Sequence, residues 1–225
     1  MIWEMDRRQI EQDLVRWYAA EVKEAAETDV RPGAFEVGFG PVPRFGSTAD
    51  PSDLSTDAPL VLRAGKRQLL LQGKIDRVDW DDAKTHFRVI DYKTGKTKLG
   101  KDATFDKGRA LQLPIYLHAA SAAIGIGAEH GESQYFYVSS AGGFTRKIIT
   151  GDDLAAARGT LEQILGTIVD GVDGGFFAAN PGAKGRSNCT FCEVKDLCDA
   201  NIDRVAARKS GDARGESYRA LEDIR

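Results

Sequence analysis

Two strand-length runs in the middle of the chain carry charges where a sheet interior calls for apolar side chains, and this narrows the fold more than any other feature. They are Gly73-Lys74-Ile75-Asp76-Arg77-Val78-Asp79 and Val89-Ile90-Asp91-Tyr92-Lys93-Thr94-Gly95, with Asp81-Asp82-Ala83-Lys84 as the turn between them. In a strand, residues two apart share a face, so Asp91 and Lys93 project together beside Val89 while Tyr92 faces the other way. Charges on a face built for burial are costly unless they are paired or bind a metal. Asp76 supplies a second carboxylate. Two carboxylates with water make a hard-oxygen site suited to Mg²⁺ or Mn²⁺. A lysine beside it would orient or deprotonate an attacking water and offset charge building on a phosphate.

The rest of the chain reads as helices around a sheet. Ile10, Leu14, Trp17, Tyr18 and Val22 recur at three- and four-residue steps, which predicts an amphipathic helix from Asp6 to Thr28, ended by Arg31-Pro32-Gly33. Ala34 to Phe39 is a short strand. Residues 40–59 hold four of the seven prolines and form a surface loop. Leu60 to Arg63, Leu69 to Trp80 and Thr85 to Tyr92 are predicted as an antiparallel meander. A helix over Ala110 to Ile124, with Pro114 early in it, precedes a hairpin of Ser133 to Ser139 and Phe144 to Thr150. Gly151-Asp152-Asp153 caps a last helix running to about Val172, before a loop, a cysteine segment and a charged tail.

Bulk properties exclude several classes. No run of eighteen apolar residues exists and the N-terminus is charged, so we expect a cytoplasmic protein with no membrane association. The net charge of -3 offers no global attraction to nucleic acid, so any such contact must come from a local patch. Lys96, Lys98, Lys101, Lys107 and Arg109 form that patch, directly after the charged strand. Gly95-Lys96-Thr97 does not complete a phosphate-binding loop, because the glycine required five positions before Gly95 is Ile90.

With these residues in place, Gly-x-Ile-Asp-Arg-Val-Asp, Ile-Asp-Tyr-Lys-Thr-Gly and Gln112-Leu113-Pro114-Ile115-Tyr116 resemble the motifs of PD-(D/E)XK nucleases of RecB-like type, over roughly Glu36 to Cys198. The resemblance implies an α/β restriction-endonuclease-like fold, a mixed central sheet flanked by helices. It further implies Mg²⁺- or Mn²⁺-dependent cleavage of DNA. Asp76 and Asp91 would ligate the metal, Lys93 would assist the water, Gln112 and Tyr116 would support the site, and Glu36 would orient Lys93 or an outer water.

Cys189, Cys192 and Cys198 are the only cysteines, spaced for a tetrahedral metal or an iron–sulfur cluster, each of which needs four ligands. His118 is the candidate for a fourth, zinc-completing ligand. The segment resembles the cluster-binding end of AddB-type helicase–nuclease subunits and of CRISPR-adaptation nucleases, which implies a [4Fe–4S] cluster with its fourth ligand outside this chain. On this reading residues 1–200 are a nuclease domain lacking its N-terminal part, with the cysteine segment at 186–200 and a charged helical tail at 201–225. The expected function is exonuclease action beside a helicase domain or subunit in break repair. A non-catalytic DNA-holding module and a CRISPR-adaptation nuclease are the alternatives.

Overall fold

The computed structural model describes residues 2–41, 54–96, 104–177, 179–182, 186–190 and 192–224. Its centre is a five-stranded sheet in the order β1-β4-β5-β6-β7, built from β1 (Arg31–Phe39), β4 (Gly73–Trp80), β5 (Phe87–Lys93), β6 (Gly131–Tyr137) and β7 (Arg146–Thr150). Only β5 and β6 run parallel, and α2 (Gln112–Ile124) lies on the crossover between them. The other neighbours are antiparallel. Helix α1 (Ile2–Glu27) lies against the opposite face of β4 and β5 through Glu21, Glu24 and Trp17. This is the mixed sheet with flanking helices expected from the sequence.

Three local predictions need correction. The run Leu69 to Trp80 is two strands: β3 (Arg67–Leu71) pairs with β2 (Leu60–Ala64) in a separate hairpin, and the chain turns at Gln72 before β4 enters the main sheet. The hairpin uses its leucines as a lid, with Leu60, Leu62, Leu69 and Leu71 packed on the core while Val61 and Leu70 face out. Arg31-Pro32-Gly33 does not merely end α1; it opens β1. There the register slips between Pro32 and Ala34, and a Cβ on Gly33 would stand 2.3 Å from the Trp80 ring. Edge position and bulge together tolerate the proline. Third, the helix after β7 breaks at Ala157 into α3 (Gly151–Ala156) and α4 (Arg158–Asp173), and its N-cap is Thr150. Thr150 and Asp153 exchange side-chain and backbone hydrogen bonds in a capping box.

The core lies between the sheet and α2, α3 and α4, with Ile75, Val78, Phe87, Val89, Leu113, Leu117 and Ile164 buried in it. The charged C-terminal segment also joins it. Leu221 is buried in the same cluster, and the Lys107 N–H donates to the Ile224 carbonyl at 3.1 Å. Among the described residues no helix is long and apolar enough to cross a membrane.

The outer face of α1 reverses the expectation drawn from its pattern. Ile10, Leu14, Tyr18 and Val22 are exposed, and of the predicted apolar face only Trp17 docks, edge-on to Tyr92. The helix is held instead by its polar side. Glu21 pairs with Arg77, Glu24 with Arg88 and Arg146, and Asp13 accepts from the Ser140 hydroxyl and N–H. The physical reason is the sheet face it meets: Arg77, Asp79, Arg88 and Tyr92 present charge and hydroxyl groups there, and charges removed from water need partners.

Candidate active site

Strand alternation delivers Asp91 and Lys93 to the α2 side of β5, and the sheet topology opens a site around them. The β4–β5 ladder runs from Trp80↔Phe87 to Arg77↔Ile90 and stops. Beyond it β4 stays with β1 to its start, while β5 stays with β6 as far as Lys93↔Tyr137. The two strands diverge where the acidic residues sit. Asp76 fills the gap in the ladder, its Oδ2 accepting the Tyr92 N–H at 2.9 Å. The end of β5 is pinned on its other side, where Val138 N–H donates to the Lys93 carbonyl and Ser139 Oγ to that of Thr94.

Asp91 is 3% exposed. Burial, with the nearby Asp76 charge added to it, raises its carboxyl above the usual range against the opposing pull of Lys93. Its Oδ1 accepts from Gln112 Nε2 at 2.8 Å; its Oδ2 faces the Lys93 ammonium as an ion pair without a directed hydrogen bond. Gln112 opens α2, so its amide reaches back to the sheet, and Tyr116 stands one turn on along the same face. The amide is fully used: Nε2 also donates to Tyr116 Oη at 3.0 Å, and Oε1 accepts from Lys93 Nζ at 3.2 Å. A flipped amide would set its oxygen against Asp91 and its NH₂ against Lys93.

The structure brings together Asp76, Asp91, Lys93, Gln112 and Tyr116. Glu36 forms its ion pair with Lys74, not with Lys93. Lys96 and Arg109 are exposed, Arg109 pairing with Asp106 at 3.5 Å, and Lys107 is half-buried. Lys98 and Lys101 lie outside the described residues.

Tyr135 escaped the sequence reading. It stands opposite Asp91 in the parallel register, and its ring centroid lies 5.0 Å from Lys93 Nζ. The ring supplies a cation–π wall that, with Asp91 and Gln112, fixes the ammonium from three sides. Nothing local marked it, because the pairing of β5 with β6 is set across a helical crossover. Tyr135→Leu should lower kcat for the site's reaction by roughly three- to tenfold, whereas Tyr135→Phe, which keeps the ring face, should stay near wild type. Equal losses in both variants would show that the hydroxyl matters, not the ring.

Among the described residues the cysteine segment does not support the expected metal centre. Cys189 and Cys192 are half-buried and Cys198 is exposed, all three as free thiols. Among the described residues no three His, Cys, Asp or Glu side chains are grouped to hold a metal ion. His118 is half-buried against Arg63, Glu129, Arg158 and Glu162 in a cavity of about 430 Å³, where burial holds its pKa below the usual value. It is therefore no partner of the cysteines, and the residues present do not fit a four-ligand cluster.

Asp76 and Asp91, by contrast, stand as a pair, which suits an ion that keeps most of its waters and takes only one or two carboxylates from the protein. The chemistry of the donor set is the fit: two neighbouring carboxylates, one of them buried, with a lysine beside them. The model of the PD-(D/E)XK nuclease superfamily matches residues 2–199. The chain belongs to this superfamily. Its members generally use divalent metals such as Mg²⁺ or Mn²⁺. A subunit of the ATP-dependent helicase/deoxyribonuclease of Moorella thermoacetica is 35% identical over 139 residues, 59% of this chain and 11% of that relative. A protein of the same name from Clostridium perfringens is 38% identical over 77 residues, 33% of this chain and 6% of the relative. The chain thus spans a small fraction of the length of the relatives it matches.

Proposed function

We propose that this PD-(D/E)XK domain is a divalent-metal-dependent deoxyribonuclease, an exonuclease that degrades the strand fed to it by a helicase domain or subunit during break repair. One observation carries the reading: a buried Asp91 carboxylate, ion-paired with Lys93 through Oδ2, lies beside Asp76 and is held in register with Lys93 by Gln112. Asp76 and Asp91 would hold the ion, which would act as a Lewis acid toward the scissile phosphate. Lys93 Nζ, fixed by Asp91, Gln112 and the Tyr135 ring, orients the attacking water and faces the charge that builds on the phosphate oxygens. Gln112 keeps carboxylate and ammonium aligned, and Tyr116 holds the amide in place. Lys96 and Arg109, with the neighbouring lysines, extend phosphate contacts along the strand. The names of the relatives support DNA as substrate and a helicase as partner.

End-labelled single- and double-stranded DNA, incubated with Mg²⁺ or Mn²⁺, tests this reading. Wild type should cut, and excess chelator should stop it. Binding without cutting would make the domain a DNA-holding module, and cutting undiminished by chelator would overturn the metal-dependent mechanism.

A further inference from the structure

Lys74 and Glu36 lie at the β1–β4 side of the site and have no part in the chemistry above. Glu36 has φ +53°, a left-handed conformation that is strained for a non-glycine residue. It sits inside β1, opposite Asp76 in a ladder that pairs Phe35 with Arg77 and Val37 with Ile75. The distortion breaks strand alternation: the buried positions change from Ala34 to Val37 in β1 and from Val78 to Ile75 in β4. Strain of this kind persists where the surroundings enforce it, and it clusters at functional sites. Here it goes with an ion pair between the Glu36 carboxylate and Lys74 Nζ, within electrostatic reach of Asp76 and Tyr116.

The charge balance of the site gives this pair a use. Glu36, Asp76 and Asp91 carry three negative charges against two positive ones on Lys74 and Lys93. One divalent ion would turn that deficit into a single positive charge, the match for one phosphate. The two lysines flank the carboxylates from opposite sides, Lys93 toward β6 and Lys74 toward β1. An ammonium has three donors, and one carboxylate partner leaves others for a ligand. Lys74 also remains 42% exposed at its side chain.

On the proposed nuclease reading, we infer that Lys74, held in place by the strained Glu36, is a substrate-binding residue that grips the backbone phosphate next to the scissile one. Lys93 serves the reacting phosphate and Lys74 sets the register of the strand. The pair is a DNA contact separate from Lys96 and Arg109.

The test combines a variant with a substrate modified at one phosphate. Lys74→Gln should raise KM for a single-stranded oligonucleotide by roughly tenfold, with a much smaller loss of kcat. In an Asp91→Asn background it should lower the slope of log affinity against log salt by about 0.7. Glu36→Gln should raise KM less, because it frees the cation without removing it. A neutral methylphosphonate next to the cleaved bond should cost the wild type about as much as Lys74→Gln does and cost Lys74→Gln little more. Independent losses that multiply would overturn the contact, as would a Lys74→Gln enzyme matching a wild type that cuts. A wild type that neither cuts nor binds DNA would overturn the nuclease reading and this inference with it.

Discussion

Asp91→Asn should abolish DNA cleavage, by about a thousandfold or more, while raising the thermal midpoint of the protein in metal-free buffer. The two effects have one cause. The carboxylate is buried, its Oδ2 lacks a directed hydrogen bond, and burial and Asp76 raise its pKa. A carboxyl whose folded pKa lies above its unfolded value makes its favourable contribution below the unfolded value and loses it as pH rises through the folded one. At neutral pH the ionised Asp91 is therefore a net cost to the fold. Asparagine removes the charge, keeps an oxygen for Gln112 Nε2, and leaves Lys93 with 36% of its side chain in water. Lys93→Ala is the contrasting variant, since it strips the counter-charge from a buried carboxylate and should lower both activity and thermal midpoint. Differential scanning fluorimetry beside the cleavage assay checks the pair of signs. An Asp91→Asn protein that is both inactive and less stable would show that the site is held together by its charge and is not strained by it.

Arg77→Met should destabilise the domain by about 3–5 kcal/mol, the largest loss expected from one side chain outside the apolar core. The guanidinium is 7% exposed, donates from Nε and Nη2 to the two oxygens of Asp79 at 2.6 Å each, and gives Nη1 to Glu21 and, at 2.8 Å, to Tyr92 Oη. Its removal strands two carboxylates in a region where Trp17 Nε1, Glu21 Oε1 and Arg146 Nη1 already lack hydrogen-bond partners. Burial works against the guanidinium charge, but Asp79 and Glu21 outweigh it and hold Arg77 charged. Arg77→Met with Asp79→Leu should recover part of the loss, because it removes one of the two stranded carboxylates and leaves Glu21 with only Arg146, 4.0 Å away. Urea unfolding measures both, with Trp17 fluorescence reporting whether α1 leaves the sheet first. A single-variant loss under about 1 kcal/mol would mean that water reaches the network and that α1 is held by something else.

The parts of the site legible in the sequence were those set by local periodicity. Asp91 and Lys93 share a face with Tyr92 opposed because a strand repeats every two residues. Gln112 and Tyr116 meet because a helix brings positions four apart together. Tyr135 and Lys74 escaped notice because their roles arise from strand pairing across a helical crossover and from a distortion at Glu36.

The same division runs through the fold. The amino-acid order alone determined that charged strands and amphipathic helices would form, and where most of them begin and end, because these follow from side-chain spacing over a few residues. Only the tertiary structure decided that α1 turns its carboxylates to the sheet and leaves Ile10, Leu14, Tyr18 and Val22 in water. Only it divided Leu69 to Trp80 between two sheets. The reason is that burial is a property of the partner surface: an apolar stripe buries itself only where the facing element is apolar. Here the facing strands carry Arg77, Asp79 and Arg88, so the cost of leaving those charges unpaired outweighs the gain from covering the stripe.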